Sequence, residues 1–585
     1  MLCCFATIMR SVMFLVVFVF ICGTCVGSPP KRPHIIFILA DDLGWNDVSF
    51  HGSNQIPTPN IDALAYHGVI LKNHYSEALC TPSRSALLTG KYPIHTGSQH
   101  NVLLETHPSG LSLDEKLLPE YLKPLGYDTH AVGKWHLGFF KTDYTPTQRG
   151  FNSFYGFWNG YQDYYKHNVQ ATFVPYDGYD MRRNLEVDWS GIGNYSTDLF
   201  TDEAVKIIRR HDNSDPLFLY LAHLAPHAGT YEDPLQAPQE EISKFAGIAD
   251  PDRRRYAGCR SCVSQRRELS AVLIFVAAKF SAMVSKLDQS VAAVVDALRN
   301  NSMLDDSIIV FVSDNGAPST GLMRNYGSNW PLKGEKSTPW EGGVRTVAFI
   351  WSPLLQKTRR ISRQLIHITD WLPTLYYAAG GNNTELENID GTNMWHVLSG
   401  TKKENKNYTV LHNIDEELGY GYAALRHGDY KLINGTSMLG FLDDWFGQIQ
   451  TENIPAYNIS EIQRSKTYQI VSRVKSCCEK RMLKLRELVT VNCGESNDST
   501  LRAHSKPCDS KRAPCLFNIA LDPCERHNLY GQENLKTIQR ELENKINEFR
   551  DSKKKIILPK VDPQSNPALH NNTWVSWRDH EENLI

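Results

Sequence analysis

Residues Pro33–Gly52 read PHIIFILADDLGWNDVSFHG, and their pattern decides the fold. The run Ile35–Ala40 is apolar at every position and stops at paired acids, Asp41 and Asp42. A continuous apolar run fits a strand buried on both faces, as in a parallel sheet covered by helices, where ligands gather at the carboxyl ends of the strands. Two adjacent carboxylates at such an end repel each other unless a cation lies between them; two solvated acids on a turn are the competing reading. The pattern returns at residues 308–316, IIVFVSDNG, which delivers Asp314 and Asn315. The four residues form an all-oxygen set suited to a hard divalent cation, and the lack of a His/Cys cluster at these ends argues against zinc.

The chain around these strands alternates strand and helix. TPNIDALAYHGVILKNHYS (58–76) reads as an amphipathic helix and a strand that lead to Cys80. LSLDEKLLPEYLKPLGYDTHAVGKWHLG (111–138) gives a helix, a Gly126 cap and a strand that ends at Lys134 and His136. DPLFLYLAHLAPH gives another strand ending at His227, with His223 as a rival nearby, and TVAFIWSP a further one. This alternation predicts an α/β fold with a central, mainly parallel sheet. Lys333 and Lys336 lie on the glycine-rich NWPLKGEKSTPWEGGVR before the last of these strands. From about residue 401 the texture shifts to short strands, YAALRHGDYKLI and PCLFNIALDPCERHNLY, and an amphipathic helix near the end. That predicts a small α+β domain over 401–585 after a large domain over 33–400.

In HYSEALCTPSRSALLTGKYPIHTG (74–97), Cys80 precedes Arg84 by four residues on a proline-broken turn entering a helix, an arrangement that handles anions. A disulfide is the bland reading of any cysteine in a secreted chain. Of 13 cysteines, four precede Gly27 and nine follow, so setting Cys80 aside leaves an even eight. The stretch CTPSR-SALLTG, with GYDTHAVGKWH, SDNGAP, NWPLKGEK, WEGGVR and DPCERHNL in order, resembles the sulfatase family, and within it the arylsulfatase B group of N-acetylgalactosamine-4-sulfatases. The resemblance covers roughly Pro33 to Asn528.

That resemblance implies an alkaline-phosphatase-like large domain and hydrolysis of sulfate esters of glycosaminoglycan sugars, with N-acetylgalactosamine 4-sulfate or an aryl sulfate as substrate. It implies oxidation of Cys80 to formylglycine by the formylglycine-generating enzyme of the endoplasmic reticulum. It also implies one calcium ion held by Asp41, Asp42, residue 80, Asp314 and Asn315. Arg84, Lys134 and Lys336 would add positive charge around the sulfate, with Lys333 as the fallback for Lys336. Asp314 would serve as base, His227 with Lys336 would protonate the leaving oxygen, and His136 would take the proton that expels sulfate. Alternatives from other classes are a phosphohydrolase of the alkaline phosphatase superfamily, against which Cys80 with Pro-Ser-Arg speaks, and a silent glycan-binding homologue. The mark of the second would be loss of Cys80, Arg84, Lys134, His136 or Asp314, and all five are present.

One stretch departs from the family pattern. GCRSCVSQRRELSAVLIFVAAKFS (258–281) intervenes where relatives run on, and it reads as a retained intron or alternative exon. Its Cys259-x-x-Cys262 is a weak redox or zinc signal. Cys515 with Cys524, and Cys493 with Cys508, are candidate disulfides, although spacing does not fix connectivity. A net charge of -2 gives no pull toward nucleic acid or membrane, so an anionic substrate needs a local cationic cluster. Arg10, the apolar run Ser11–Cys22 and small residues through Gly27 read as a cleaved signal peptide over 1–27, too short for a membrane anchor. With eight N-x-S/T sequons, this predicts the secretory pathway, lysosomal or extracellular.

Overall fold

The apolar run after Pro33 forms the middle of a ten-stranded sheet. The computed structural model describes residues 31–245, 266–321, 323–417, 421–446, 456–493, 507–556 and 558–579; the expected leader and the first part of the expected insert lie outside these. The sheet contains, in chain order, β1 (His34–Ala40), β2 (Val69–Leu71), β3 (Asp128–Lys134), β4 (Ser153–Phe157), β5 (Arg182–Arg183), β6 (Glu186–Val187), β7 (Leu217–Ala222), β8 (Ser307–Ser313), β9 (Ala348–Trp351) and β10 (Arg360–Ser362). Its spatial order is β10-β2-β9-β8-β1-β7-β3-β4-β5-β6. The five strands β8, β1, β7, β3 and β4 run parallel, and β9, expected only as a further strand, lies antiparallel to β8. Every residue of β1 is buried, so both faces of the sheet are covered, as the unbroken apolar run predicts.

Register brings distant residues together. Ala40 pairs with Ser313, Leu39 with Ala222, and Ala222 with Gly133, so Asp41, Asp314 and Lys134 emerge at one end of the sheet. Gly133 has φ +102°, and a Cβ there would lie 1.9 Å from the carbonyl oxygen of Ala222, so only glycine lets β3 approach β7 this closely.

The Pro59–His67 helix is buried along nearly its whole length rather than amphipathic, because later segments cover its outer side. Asp288 of the Arg266–Asn300 helix accepts hydrogen bonds from the backbone nitrogens of Asn60 and Ile61 at 2.9 and 2.8 Å, serving the donors that open the shorter helix. The long helix runs without interruption through the described part of the expected insert, and Phe280 and Ser281 are buried. Among the described residues no helix is long and apolar enough to cross a membrane.

The second sheet is antiparallel: β11 (Thr409–Asp415), β12 (Tyr422–His427), β13 (Tyr430–Gly435) and β14 (Cys515–Asn518) pair in that order. The Lys536–Ser552 helix packs Leu542 and Ile546, one turn apart, against Leu411, Leu425, Leu432 and Leu516. Other residues beyond 401 return to the large core: Ile462, Ile470, Val471, Met482, Leu485, Val489 and Trp574 are buried there. The disulfides correct both candidate pairings. Cys493 joins Cys524 and Cys508 joins Cys515, because β14 and the turn after it bring those Cα atoms to 5.9 and 5.8 Å. Cys477 and Cys478 are unbridged, and Cys259 and Cys262 lie outside the described residues, so the even eight does not resolve into four visible bridges.

Candidate active site

Cys80 is the first residue of the Cys80–Thr89 helix, which follows an extended Leu79 and ends at a left-handed Gly90. Pro82 is accommodated because the first helical turn has no internal acceptor for its missing N–H. The helix points its first residue at the carboxyl ends of β1 and β8. Cys80 Sγ lies 3.6 Å from Asp41 Oδ1 and 3.1 Å from Lys336 Nζ, with the cysteine 1% exposed.

Cations and carboxylates interleave around it. Lys134 Nζ contacts Asp41 Oδ2 at 2.6 Å, and Lys336 Nζ contacts Asp42 Oδ1 at 2.6 Å. Arg84 grips Asp314 Oδ2 through Nη2 at 2.9 Å and Nε at 3.2 Å. Asn315 Nδ2 donates to Asp42 Oδ1 at 2.5 Å. Lys333 stays out of the site, its Nζ 3.6 Å above the Trp340 ring, and His223 Nε2 sits 2.9 Å from Ser290 Oγ elsewhere in the core. Of the two rival pairs, Lys336 and His227 are the members that lie beside Asp42.

Two residues that motif reading passed over also build the site. Ser83 Oγ donates to the carbonyl oxygen of Asp314 at 2.5 Å, tying the helix to the end of β8. Asn325 is fully buried and donates to the carbonyl oxygens of Asp42 and Pro226 at 2.9 and 3.0 Å. Ser83 lies inside the quoted CTPSR, but its partner could not be read there. Asn325 sits in a stretch with no periodic or motif signal.

The electrostatics follow from burial. Burial pushes the Asp41 carboxyl up, but Lys134, His227 and Arg84 outweigh it and hold it below the usual range. Burial and the Asp41 charge raise Asp314 in spite of Arg84. Burial would deprotonate Lys336, yet Asp42, with Asp41 and Asp314 nearby, keeps its ammonium charged. Burial pushes the Cys80 thiol up to about 12, so the unmodified side chain is a thiol and a poor nucleophile.

Hydrogen bonds fix the histidine tautomers. His136, held in a left-handed conformation at φ 59°, donates from Nε2 to the carbonyl oxygen of Leu103 at 2.9 Å, which leaves Nδ1 as a buried acceptor with no hydrogen-bond partner. Burial with Lys134 and Arg84 nearby keeps this ring neutral. His227 donates from Nδ1 to the carbonyl oxygen of Ala228 at 2.7 Å, and burial lowers its basicity. Its Nε2 lone pair therefore faces Asp42 Oδ2 at 3.5 Å, two acceptors that require a proton or cation between them.

The same atoms fit a metal ion. Asp42 Oδ2 and Asn315 Oδ1 are buried acceptors without hydrogen-bond partners. Ligand atoms of Asp41, Asp42, Cys80 and His227 lie within 4.8 Å of one another. Spare oxygen acceptors converging among carboxylates suit a hard divalent cation. His227, expected only as a proton donor, joins this group, whereas Asp314 is engaged by Arg84.

Comparison with known proteins places the chain in a family. The model of the Sulfatase family matches residues 33–381. Arylsulfatase J of Mus musculus is 36% identical over 569 residues, covering 94% of this chain and 81% of the relative. N-acetylgalactosamine-6-sulfatase of Homo sapiens is 30% identical over 400 residues, covering 64% of this chain and 67% of the relative. The crystal structure of Ps i-CgsB in complex with k-i-k-neocarrahexaose superposes with a TM-score of 0.65 at 26% identity, covering 92% of this chain and 98% of that one. These names support the family and not the arylsulfatase B group expected from the motifs.

Proposed function

The chain belongs to the sulfatase family and is a sulfuric ester hydrolase, and from that premise we propose that it removes sulfate from sulfated sugars through a modified Cys80 and a calcium ion. The observation that carries this reading is the cluster of Lys134, Lys336 and Arg84 around a buried, thiol-form Cys80 at the head of a helix. A sulfate monoester presents a negative charge to any nucleophile, and fixed cations at the point of attack remove that barrier.

Oxidation of Cys80 to formylglycine would supply, in its hydrate, the hydroxyl nucleophile that the thiol lacks. A calcium ion on Asp41, Asp42, residue 80, Asp314 and Asn315 would neutralise sulfate oxygens. Lys134 and Lys336 orient the sulfate, with Lys336 3.1 Å from the residue 80 side chain. Asp314, made more basic by burial, takes the proton of the attacking hydroxyl. His227, once protonated at Nε2, would supply a proton to the leaving oxygen with help from the Lys336 ammonium. His136 accepts the last proton at Nδ1, the atom its hydrogen bond to Leu103 leaves open.

The substrate is read as a sulfated N-acetylgalactosamine of a glycosaminoglycan, with the 4-sulfate favoured by the motifs SDNGAP, NWPLKGEK, WEGGVR and DPCERHNL. The names of relatives add a 6-sulfated galactosamine as the competing position, and an oligosaccharide accompanies one similar structure. Delivery through the secretory pathway to lysosomes or the cell exterior, with the formylglycine-generating enzyme as partner, follows from the leader and from Cys80. We read residues 258–281 as a retained intron or alternative exon; a predominant transcript encoding them would contradict that.

The test is the mass of the tryptic peptide between Lys72 and Arg84 from protein made in a secretory host. A loss of about 18 Da from the cysteine form, with capture by an aldehyde reagent, is expected. Unmodified cysteine together with no hydrolysis of an aryl sulfate would favour the silent homologue.

A further inference from the structure

His136 can accept a proton at Nδ1 only while Nε2 carries the other one, and Nε2 is held by the carbonyl oxygen of Leu103. Leu103 belongs to no helix or strand; it lies in the irregular stretch between the Pro93–Thr96 and Leu118–Leu122 helices. Its other backbone group is bound to Thr81, the residue that follows Cys80. The Leu103 nitrogen donates to Thr81 Oγ1 at 3.1 Å, and the same hydroxyl donates to the carbonyl oxygen of His136 at 3.1 Å.

These three hydrogen bonds form a closed circuit with only one assignment of protons. The His136 carbonyl can only accept, so the Thr81 hydroxyl must give it its proton. The hydroxyl oxygen then accepts from the Leu103 N–H, and the Leu103 carbonyl requires a proton on Nε2 of a neutral His136 ring. Thr81 is 2% exposed, which places this hydroxyl in the core. The rest of the surroundings also confine His136. Its backbone is left-handed at φ 59°, its nitrogen donates to the carbonyl oxygen of Trp158 at 3.1 Å, and a Cβ on Gly160 would lie 2.6 Å from its ring. A non-glycine residue keeps such a backbone only where several contacts fix it together.

We propose that Thr81 is a positioning residue for sulfate release: through Leu103 it locks His136 in the tautomer whose Nδ1 is open. The inference rests on the sulfatase reading and adds the group that sets its final base. In that step the proton of the remaining hydroxyl passes to Nδ1, the O–H electron pair forms the aldehyde carbonyl, and sulfate leaves with the electron pair of its C–O bond. One turn of helix then carries both the nucleophile and the hydroxyl that prepares its partner base.

Thr81→Val keeps the branched shape and removes the hydroxyl. With an aryl sulfate, and with rates expressed per formylglycine, it should lower kcat by roughly 10-fold or more, part of the ~10²–10⁴-fold that a general base supplies. Its time course should begin with a burst of about one phenol per active site, because sulfate transfer precedes the impaired step. Thr81→Ser should restore the unsubstituted rate, and in a His136→Ala background Thr81→Val should cause no further loss. A second readout needs neither formylglycine nor turnover: nitrogen NMR of His136 in the unsubstituted Cys80 form, assigned by the signal lost in His136→Ala, should show the proton on Nε2. Thr81→Val with unchanged kcat, a loss without a burst, a full additional loss in the His136→Ala background, or a proton on Nδ1 overturns this inference alone. No hydrolysis of the aryl sulfate by the unsubstituted, formylglycine-bearing chain overturns the sulfatase reading and this inference with it.

Discussion

Two clusters of buried charge lie within this fold, and they differ in whether their acceptors are used. In the cluster joining the two sheets, Lys431 Nζ sits 2.9 Å from both Glu341 Oε1 and Glu525 Oε1, and all three side chains are fully buried. Tyr75 donates to Glu341 Oε2 at 2.8 Å, and Glu525 Oε2 accepts from the backbone nitrogen of Glu341 at 2.8 Å. Each carboxylate there faces a protein cation or donor, Glu525 Oε1 through its ion pair with Lys431 alone. At the ends of β1 and β8 the carboxylates also face cations, yet Asp42 Oδ2, Asn315 Oδ1 and His136 Nδ1 remain without hydrogen-bond partners. A closed cluster fastens two pieces of structure together. A cluster that keeps spare acceptors is built to receive something else.

The sharpest way to break this contrast is at residue 80. Cys80→Ala should lower kcat/KM for an aryl sulfate by at least ~10⁴-fold, the scale of losing a nucleophile, while thermal unfolding stays unchanged. Residual activity near that of the unsubstituted enzyme would remove the open cluster from catalysis. The closed cluster should behave in the opposite way. Lys431→Met leaves Glu341 and Glu525 without their cation and should cost about 3–5 kcal/mol in urea unfolding. The folded fraction should keep its kcat; a fall in kcat without loss of stability would mean that the two clusters are coupled.

Metal removal probes the open acceptors more gently. Dialysis against a calcium chelator should abolish turnover and lower stability, and restored calcium at 100 times its Kd should return about 2.7 kcal/mol. Calorimetry without substrate measures this independently of activity, and unchanged melting would argue that Asp42 Oδ2 and Asn315 Oδ1 hold no ion.

A subtler effect, on pH dependence, concerns a buried acid served only by backbone and amide donors. Burial pushes Asp288 from 3.8 up to about 7, against the hydrogen bonds it accepts from Asn60 and Ile61. A carboxyl with a raised native pKa holds its proton more tightly when folded. Its contribution is therefore complete below about pH 4 and is lost as pH rises toward 7. Asp288→Asn should flatten the stability profile across that window; a slope identical to that of the unsubstituted protein would assign the pH dependence elsewhere.

Much of this protein was legible in order along the chain. The apolar runs before Asp41 and Asp314 announced buried parallel strands, because a strand covered on both faces has no reason to alternate. Cys80 with Arg84, and Lys134 with His136, were readable because each pair is close in sequence and so moves together in any fold. The Pro59–His67 helix was misjudged as amphipathic because its outer cover comes from residues some 400 positions later, such as Thr467, whose backbone nitrogen donates to Asn60 Oδ1.

What the sequence determined by itself was the family, the α/β class and the inventory of charged side chains at the strand ends, since these depend on local pattern and residue type. Only the tertiary structure decided which lysine and which histidine enter the site, how four cysteines pair, and which polar atoms are left open. Those outcomes depend on register and on contacts between segments hundreds of residues apart. Lys333 and Lys336 differ by three positions in one loop, and packing against Trp340 draws the first away while Asp42 takes the second.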